Sequence, residues 1–399
     1  MHFERTPQVE QLIDGARQFA ERKLKLSRPV VGFDRAAWNE CGAEGVIAGP
    51  LPEAWGGHAH DALTTVALFN ALGGGGADRG LLFALGAHLF GCSMAIARFG
   101  SLEQHERWGT GLADGTVVAA LAATEPSGGS SASRMTTLAR RTDDGYIING
   151  AKTLVTNGPV ADLFLLIASE SPNRGALGLT AFLVPRDTRG LEVEPLVGTL
   201  GMQGAPMARI VFNDCVLPKE AVVGKPCGGL AVFTSSMQYE RSCILAGFLG
   251  AAERDLAACV AYTQGRRDAE GRLFDHQAVS HRLARMKCRI ESARWLLYWG
   301  AWSIDQGKDP LTTPAMVKLS VSEALVDCAM DVLRTFAGAA WLDEQGMATA
   351  LRDVVGTLSA SGTSDVQLNL IASGLRDHRR TTQRRLKACA AVTQQDELR

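Results

Sequence analysis

The chain has 399 residues, enough for two or three domains with a sizeable core, because the buried fraction rises with chain length. Its 41 lysines and arginines nearly balance 42 aspartates and glutamates, so no overall charge indicates a nucleic-acid partner. The nine cysteines form no C-x-x-C pair and no uninterrupted run of eighteen apolar residues occurs. These features predict reduced thiols, a cytoplasmic location and no membrane insertion.

The first part of the chain is expected to be helical. Apolar residues between Val9 and Leu24 recur every three or four positions, the spacing of one helix face. The same reasoning predicts helices over Asp34–Cys41, Asp61–Leu72 and Leu81–Phe99, and a capping box at 101–104. The glycines at 73–76 follow no strand and precede no Lys-Ser/Thr, so we interpret them as a flexible connector rather than a phosphate loop. This organisation predicts an N-terminal helical domain over residues 1–117.

The composition changes after Gly115 to short β-rich segments separated by turn residues. These segments are Thr136–Arg141, Tyr146–Ile148, Leu163–Ala168, Thr180–Val184, Leu191–Val193 and Ala208–Phe212. Asn149-Gly150 and Asn157-Gly158 are typical turn pairs. The pattern predicts a middle domain over 118–224, built as a small antiparallel barrel or sandwich.

Helical periodicity returns after Gly229 and continues through the rest of the chain. The stripe between His276 and Ile304 is long enough for a bundle helix of about eight turns. The pattern predicts a helical bundle over 225–386 and a solvated tail over 387–399. The predicted fold class is therefore mainly α with a middle β-domain, and no stretch has the spacing of a metal site.

One carboxylate lies within an apolar helical segment, in Met237–Arg241. Burial of an ionised carboxylate is costly, so Glu240 is expected either to be paired with a cation or to be used in proton chemistry. Arg241 is its neighbour along the helix and points in another direction. A structural ion pair with some other cation therefore stays open at this point.

Two stretches, Leu121–Ser130 and Gly145–Asn157, resemble the TEPxAGSD and NGxKxWITN motifs of the acyl-CoA dehydrogenase family. Further matches occur in the family's order at Tyr239-Glu240-Arg241, 351–353 and 362–363, so the resemblance covers roughly residues 5–375. The resemblance implies an N-terminal helical domain, a β-domain and a C-terminal four-helix bundle. It also implies FAD as cofactor, bound with help from a second subunit in a homodimer or homotetramer, and an electron acceptor for the reduced flavin.

By position, the resemblance implies that Thr124, Ser130 and Thr156 contact the flavin and that Arg266 meets the pyrophosphate of a partner subunit's FAD. Hydroxyl groups suit flavin ring atoms and a guanidinium suits a diphosphate. The remaining implied cofactor positions are Gln277, Arg334, Gly338 and Thr363.

Three departures from the family pattern concern these positions. The family usually has Arg-x-x-Phe-Gly where this chain has 266–270, ending in Ala269-Glu270. Leu154 replaces a tryptophan that lies over the flavin, and 337–340 replace a glycine-rich turn at the subunit contact. We therefore predict weak or easily lost FAD.

The catalytic base is the largest departure. Most members have a glutamate before a Gly-Thr pair near the C-terminus, where this chain has Ser361, and a serine needs an activating partner to act as a base. Some members, such as isovaleryl-CoA dehydrogenase, have the glutamate on another helix before an arginine, which corresponds to Glu240. An apolar helix raises a carboxyl pKa toward neutrality, as removal of an α-proton requires. The resemblance thus makes Glu240 the predicted base.

The combination of 235–241 with Ser361-Gly362-Thr363-Ser364-Asp365 resembles a branch that oxidises acyl or aminoacyl thioesters on carrier proteins, including prolyl-carrier-protein dehydrogenases. Acidic carrier proteins would be attracted by basic residues at the tunnel mouth. The candidates are Arg376, Arg379 and Arg380, or Arg140 and Arg141. The alternatives are an ordinary acyl-CoA dehydrogenase and a non-catalytic paralogue that binds a thioester or partner.

Overall fold

The structure is a computed structural model that describes residues 6–24, 32–128, 135–342 and 346–376. The predicted flavin contact at Ser130, the candidate docking residues Arg379 and Arg380, and the tail at 387–399 lie outside the described residues. The domain boundaries stay predictions.

The N-terminal part is helical, as predicted. Its helices are α1 (Pro7–Phe19), α2 (Arg35–Ala43), α3 (Ala62–Gly75), α4 (Arg79–Gly86), α5 (Met94–Phe99) and α6 (Leu102–Asp114). The carboxylates of Asp34, Asp61 and Asp78 accept hydrogen bonds from backbone N–H groups in the first turns of α2, α3 and α4. The capping box at Ser101 and Gln104 is confirmed at the start of α6.

Between α4 and α5 the chain forms a π-helical segment, Ala87–Ser93, that packs against both the first strand and the helix carrying Glu240. His88 anchors it: its Nδ1 accepts from Ala119 N (3.0 Å) and its Nε2 lies 2.9 Å from Leu112 O. Complete burial lowers the pKa of His88 to about 4, so its imidazole is neutral and Nε2–H donates. Such π-helical turns often occur at functional sites.

Within the ranges that the structure describes, eight strands form one sheet. They are β1 (Ala119–Ala122), β2 (Leu138–Arg141), β3 (Gly145–Thr156), β4 (Leu163–Ser169), β5 (Leu179–Pro185), β6 (Leu191–Leu196), β7 (Met207–Pro218) and β8 (Val222–Val223). The order is β6-β7-β3-β2-β4-β5-β8, with β1 paired to β4. Most pairs are antiparallel, as predicted, but β1 and β2 each pair with β4 in parallel. Alternation along a strand does not reveal the direction of its partner.

The C-terminal part is a bundle. Its helices are α7 (Gly229–Cys243), α8 (Ala246–Gly265), α9 (Gln277–Asp305), α10 (Thr312–Phe336) and α11 (Met347–Gly356), followed by a helical segment, α12, at 364–376. Helices α7 to α10 pack on one another, and α8 also packs on α3. The predicted fold class, helical domains on either side of a middle sheet, is confirmed.

The glycine run at 73–76 is not a flexible connector, so that prediction was wrong. Helix α3 continues through Gly75, and Gly76 ends it in the left-handed conformation. A Cβ on Gly73 would collide with the carbonyl of Gly247 in α8, and one on Gly75 would lie 2.5 Å from the carbonyl oxygen of Arg17 in α1. The glycines are therefore needed for close helix packing rather than for flexibility.

One helical stretch, Arg79–Phe99, is long and apolar enough by composition to cross a membrane. Within it, 89% of the most apolar window is buried in the protein. It packs against β1 and α7, as expected for a core helix. The eight cysteines in the described ranges are all free thiols.

Candidate active site

The Glu240 carboxyl lies in the last turns of α7 and is only 8% exposed. Burial raises its pKa to about 7, and this effect exceeds the opposing influences of a hydrogen bond from Ser361 and of the nearby Arg241 charge. None of the ion pairs within the described ranges includes Glu240. The structural alternative, a pair with another cation, finds no support there.

The two positions at which the resemblance implies a base, Glu240 and Ser361, lie side by side. Ser361 Oγ donates a hydrogen bond to Glu240 Oε2 at 2.7 Å, although 121 positions separate the two residues in sequence. A carboxylate from either position would therefore reach nearly the same point. In this arrangement the Ser361 hydroxyl acts as a hydrogen-bond donor to Glu240.

The loop that carries Ser361 is held by buried donors. Its carbonyl oxygen accepts from Arg241 Nε (3.0 Å) and Gln367 Nε2 (3.1 Å). Ser361 itself has φ of +54°, which is costly for a residue with a Cβ and persists only where surrounding contacts enforce it. Arg241 thus binds the loop that presents the donor to Glu240.

Gly91 of the π-helical segment provides the space that the carboxylate occupies. A Cβ at this position would lie 2.5 Å from Glu240 Oε1 and 3.8 Å from Leu121 Cβ. Nothing in the sequence distinguished this glycine from others in an apolar helix.

We expect Gly91→Ala to displace the Glu240 carboxylate, because the added methyl occupies its position. A misplaced base can cost about 100-fold in rate, so flavin reduction should slow by that order while the fold is kept. Gly15→Ala in α1 is the matched control, since a Cβ there meets nothing within 4 Å. Rapid-mixing absorbance measures the rate, and an unchanged rate in Gly91→Ala would contradict this placement.

Two of the predicted flavin-contacting residues lie in the middle domain, both half-buried. Thr156 ends β3 opposite Met207, and the carbonyl of Thr124 accepts from Thr153 N at 2.8 Å. The segment around Thr124 is thus tied directly to β3. Thr363 is exposed at the start of α12, two residues after Ser361.

A buried ion pair that the sequence reading missed fixes the Thr124 segment. Lys152 Nζ lies 2.9 Å from Glu125 Oε1 and donates to Ala123 O at 3.0 Å. Glu125 also accepts from the backbone N–H groups of Thr136 and Thr137. Lys152 is the lysine of the NGxKxWITN motif. The motif was recognised in the sequence, but no role was predicted for this lysine.

The other predicted cofactor positions lie together at one end of the bundle. Arg266 follows α8, Gln277 begins α9, and Arg334 and Gly338 lie near the end of α10; all four are exposed. Stacking of Tyr262 on Phe336, with ring centroids 4.3 Å apart, joins the ends of α8 and α10.

This cluster is remote from the loop of Ser361. Lys318 of α10 donates to Leu358 O in the segment leading to that loop, at 2.8 Å. Arg334 lies sixteen residues further along the same helix, which corresponds to about 24 Å at 1.5 Å per residue. The structure therefore does not bring the two sets of residues together within one chain.

These residues fit the groups of a dinucleotide. The Arg266 guanidinium lies over the Tyr262 ring, 5.7 Å from its centroid, and makes no ion pair within the described ranges. The acidic side chains that follow it face His276 instead. Asp268 lies 2.9 Å from His276 Nε2, and Glu270 lies 4.0 Å from His276 Nδ1. A free cation suits a diphosphate. The predicted weak binding stays a prediction.

Leu154, at the position where the family resemblance implies a tryptophan, lies in a bulge of β3 with φ of +53°. Its side chain is 60% exposed on the sheet. A bulge redirects a side chain out of the regular alternation. The side chain is thus open to contact from another group.

The fold agrees with the comparison to known families. Residues 6–116, 120–215 and 228–376 match the N-terminal, middle and C-terminal domains of acyl-CoA dehydrogenases. The chain belongs to the acyl-CoA dehydrogenase family, and the resemblance predicted from the motifs is confirmed.

Individual relatives share nearly the whole fold. The chain is 38% identical over 345 residues to an L-prolyl-(peptidyl-carrier protein) dehydrogenase of Pseudomonas fluorescens, covering 86% of this chain and 91% of that protein. A solved structure of PigA with FAD and proline superposes with a TM-score of 0.90 at 34% identity, covering 94% of this chain and 99% of PigA. The prolyl acyl carrier protein oxidase AnaB gives a TM-score of 0.90 at 33% identity, covering 93% and 100%.

Proposed function

We propose that this protein catalyses the FAD-dependent α,β-dehydrogenation of an aminoacyl thioester held on a carrier protein, with Glu240 as the base. The observation that carries the proposal is the buried Glu240 carboxyl, hydrogen-bonded to Ser361, unpaired by any described cation and with a pKa of about 7. The substrate class comes from the relatives, which are named for prolyl groups on carrier proteins.

The reaction removes two hydrogens from the acyl group. Glu240 takes the α-hydrogen as a proton, and the electron pair of that C–H bond forms the Cα=Cβ bond as the β-hydrogen leaves as hydride. Bound FAD supplies the hydride acceptor. A base with a pKa near the working pH is the kind that general base catalysis needs.

In this proposal, residues of two subunits together bind each FAD. Thr124 and Thr156 would hold the flavin, with Thr363 near the same end of the site. The diphosphate end of a partner's FAD would be held by Arg266, Gln277, Arg334 and Gly338. These residues are too far from Ser361 to act on the same FAD in one chain: about 24 Å of α10 separates Arg334 from Lys318, and Lys318 binds the segment leading to Ser361. We therefore propose a homodimer or homotetramer.

Docking of an acidic carrier protein is proposed to involve exposed arginines. Arg140, Arg141 and Arg376 are exposed, and Arg141 lies 3.8 Å from Glu170. Exposed charges mainly increase the association rate, with strong salt dependence.

We expect flavin reduction with a prolyl group on a carrier protein and much slower reduction with prolyl-CoA or butyryl-CoA. The carrier adds a docking surface that free CoA lacks. Absorbance measures flavin reduction, and mass spectrometry of the carrier counts hydrogens lost. Faster reduction by butyryl-CoA would indicate an ordinary acyl-CoA dehydrogenase. A colourless protein that does not take up added FAD would indicate a non-catalytic paralogue.

A further inference from the structure

A cavity of about 510 Å³ lies between the end of α5, helix α7 and the connection from α9 to α10. Gln238 and Tyr239 of α7 line it, whereas Glu240 does not. Because successive helix residues are rotated by about 100°, Gln238 points roughly away from Glu240, two positions later. The cavity is therefore on the opposite side of α7 from the proposed base.

Two polar side chains that line this cavity, Gln238 and Tyr239, have no hydrogen-bond partner among the described residues. Gln238 is only 7% exposed, yet its amide makes no hydrogen bond with any described residue, and neither does the Tyr239 hydroxyl. The Gln238 amide and the Tyr239 hydroxyl are therefore available to hydrogen-bond to a molecule that enters the cavity.

The charges that line the cavity favour an anion. Arg98 and Lys308 both line it, and neither forms an ion pair within the described ranges. Lys308 Nζ lies over the Trp302 ring, 4.1 Å from the centroid. The lining carboxylate, Asp305, is already engaged, since it accepts hydrogen bonds from the N–H groups of Ala62 (2.8 Å) and Leu63 at the start of α3.

The rest of the wall is mainly apolar. Pro50, Met94, Ile304 and Pro310 contribute hydrocarbon surface. We propose that this cavity is a second binding site, separate from the active site, for a small organic carboxylate with a short aliphatic body. Arg98 and Lys308 hold the carboxylate, Gln238 and Tyr239 donate hydrogen bonds to it, and the aliphatic body contacts the apolar wall. The volume is within the range of small-molecule sites, roughly 300–1,000 Å³.

Isothermal titration of the FAD-loaded protein with butanoate and hexanoate tests the proposal, with hexanamide as the neutral match. The carboxylates are expected to bind and hexanamide not to bind. Arg98→Gln removes a charge-assisted hydrogen bond worth about 1.5–3 kcal/mol, so affinity should fall about tenfold or more. Arg107→Gln is the matched control, because both arginines are exposed and each lies over the ring of the next residue, Arg98 over Phe99 at 5.4 Å and Arg107 over Trp108 at 4.6 Å. Arg107 does not line the cavity.

Binding that Glu240→Gln leaves unchanged would place the ligand in this cavity rather than in the active site. Hexanamide binding as tightly as hexanoate would overturn the proposal. So would no detectable binding, or equal affinities in Arg98→Gln and Arg107→Gln. Because the carboxylate series contains no thioester, this result is independent of the proposed dehydrogenase activity.

Discussion

Glu240→Gln is expected to abolish flavin reduction by the thioester while FAD and the fold are retained. The amide has nearly the same shape, and its oxygen still accepts the hydrogen bond from Ser361 Oγ, which lies 2.7 Å from Glu240 Oε2. It has no basic site for the α-proton. Loss of a positioned general base costs about 100-fold to 10,000-fold, and rapid-mixing absorbance of the flavin measures it.

Measuring stability as a function of pH distinguishes loss of the base from loss of the fold in Glu240→Gln. Burial raises the pKa of Glu240 from 4.5 to about 7, so the folded state binds the proton more tightly than the unfolded state does. Its contribution to stability is thus fully present below about pH 4.5 and is lost as pH rises through about 7. The Gln variant lacks this titration and should be at least as stable at pH 8. Undiminished flavin reduction in the variant would reject Glu240 as the base.

Ser361→Ala is expected to move the pH profile of flavin reduction to higher pH. The base acts when ionised, so the wild-type rate should rise with pH through about 7. The Ser361 hydrogen bond favours the ionised carboxylate and lowers its pKa. Its loss removes about 1.5–3 kcal/mol, which corresponds to about one or two pH units. At pH 7 the rate should fall about fivefold to fiftyfold, because that shift lowers the ionised fraction by this amount, and it should recover at alkaline pH.

Ser359→Ala is the matched control in the same loop. Ser359 is exposed, and among the described residues its Oγ donates to Gly356 O alone, at 3.1 Å. Its profile should match that of the wild type. Ser361→Gly removes the hydroxyl but suits the positive φ of +54°. If the shift in Ser361→Ala arises from backbone strain rather than from the lost hydrogen bond, Ser361→Gly will not reproduce it.

Much of the fold could be predicted because its signals are local. The periodicity over His276–Ile304 predicted a helix that the structure places at Gln277–Asp305, and the run Leu163–Ala168 predicted β4 within one residue. Strands β1 and β8 escaped prediction because they are short, four and two residues, and β1 is an alanine-rich segment with weak strand preference.

Other features depend on partners that are distant in sequence. The glycines at 73–76 have the composition of a linker, yet contact with α8 and α1 makes them part of a packed helix. Likewise, the need for glycine at position 91 arises from a carboxylate on another helix. Neither contact can be predicted from the local amino-acid composition.

The sequence by itself determined the order of helical and β segments, the family motifs and the presence of Glu240 within an apolar helix, because each is a property of neighbouring residues. The tertiary structure decided what surrounds that carboxylate. It brought Ser361 within 2.7 Å, placed Gly91 against the second oxygen, and directed Arg241 to the Ser361 carbonyl instead of to Glu240. Desolvation and hydrogen bonding set a pKa, and both depend on atoms that the fold assembles from distant parts of the chain.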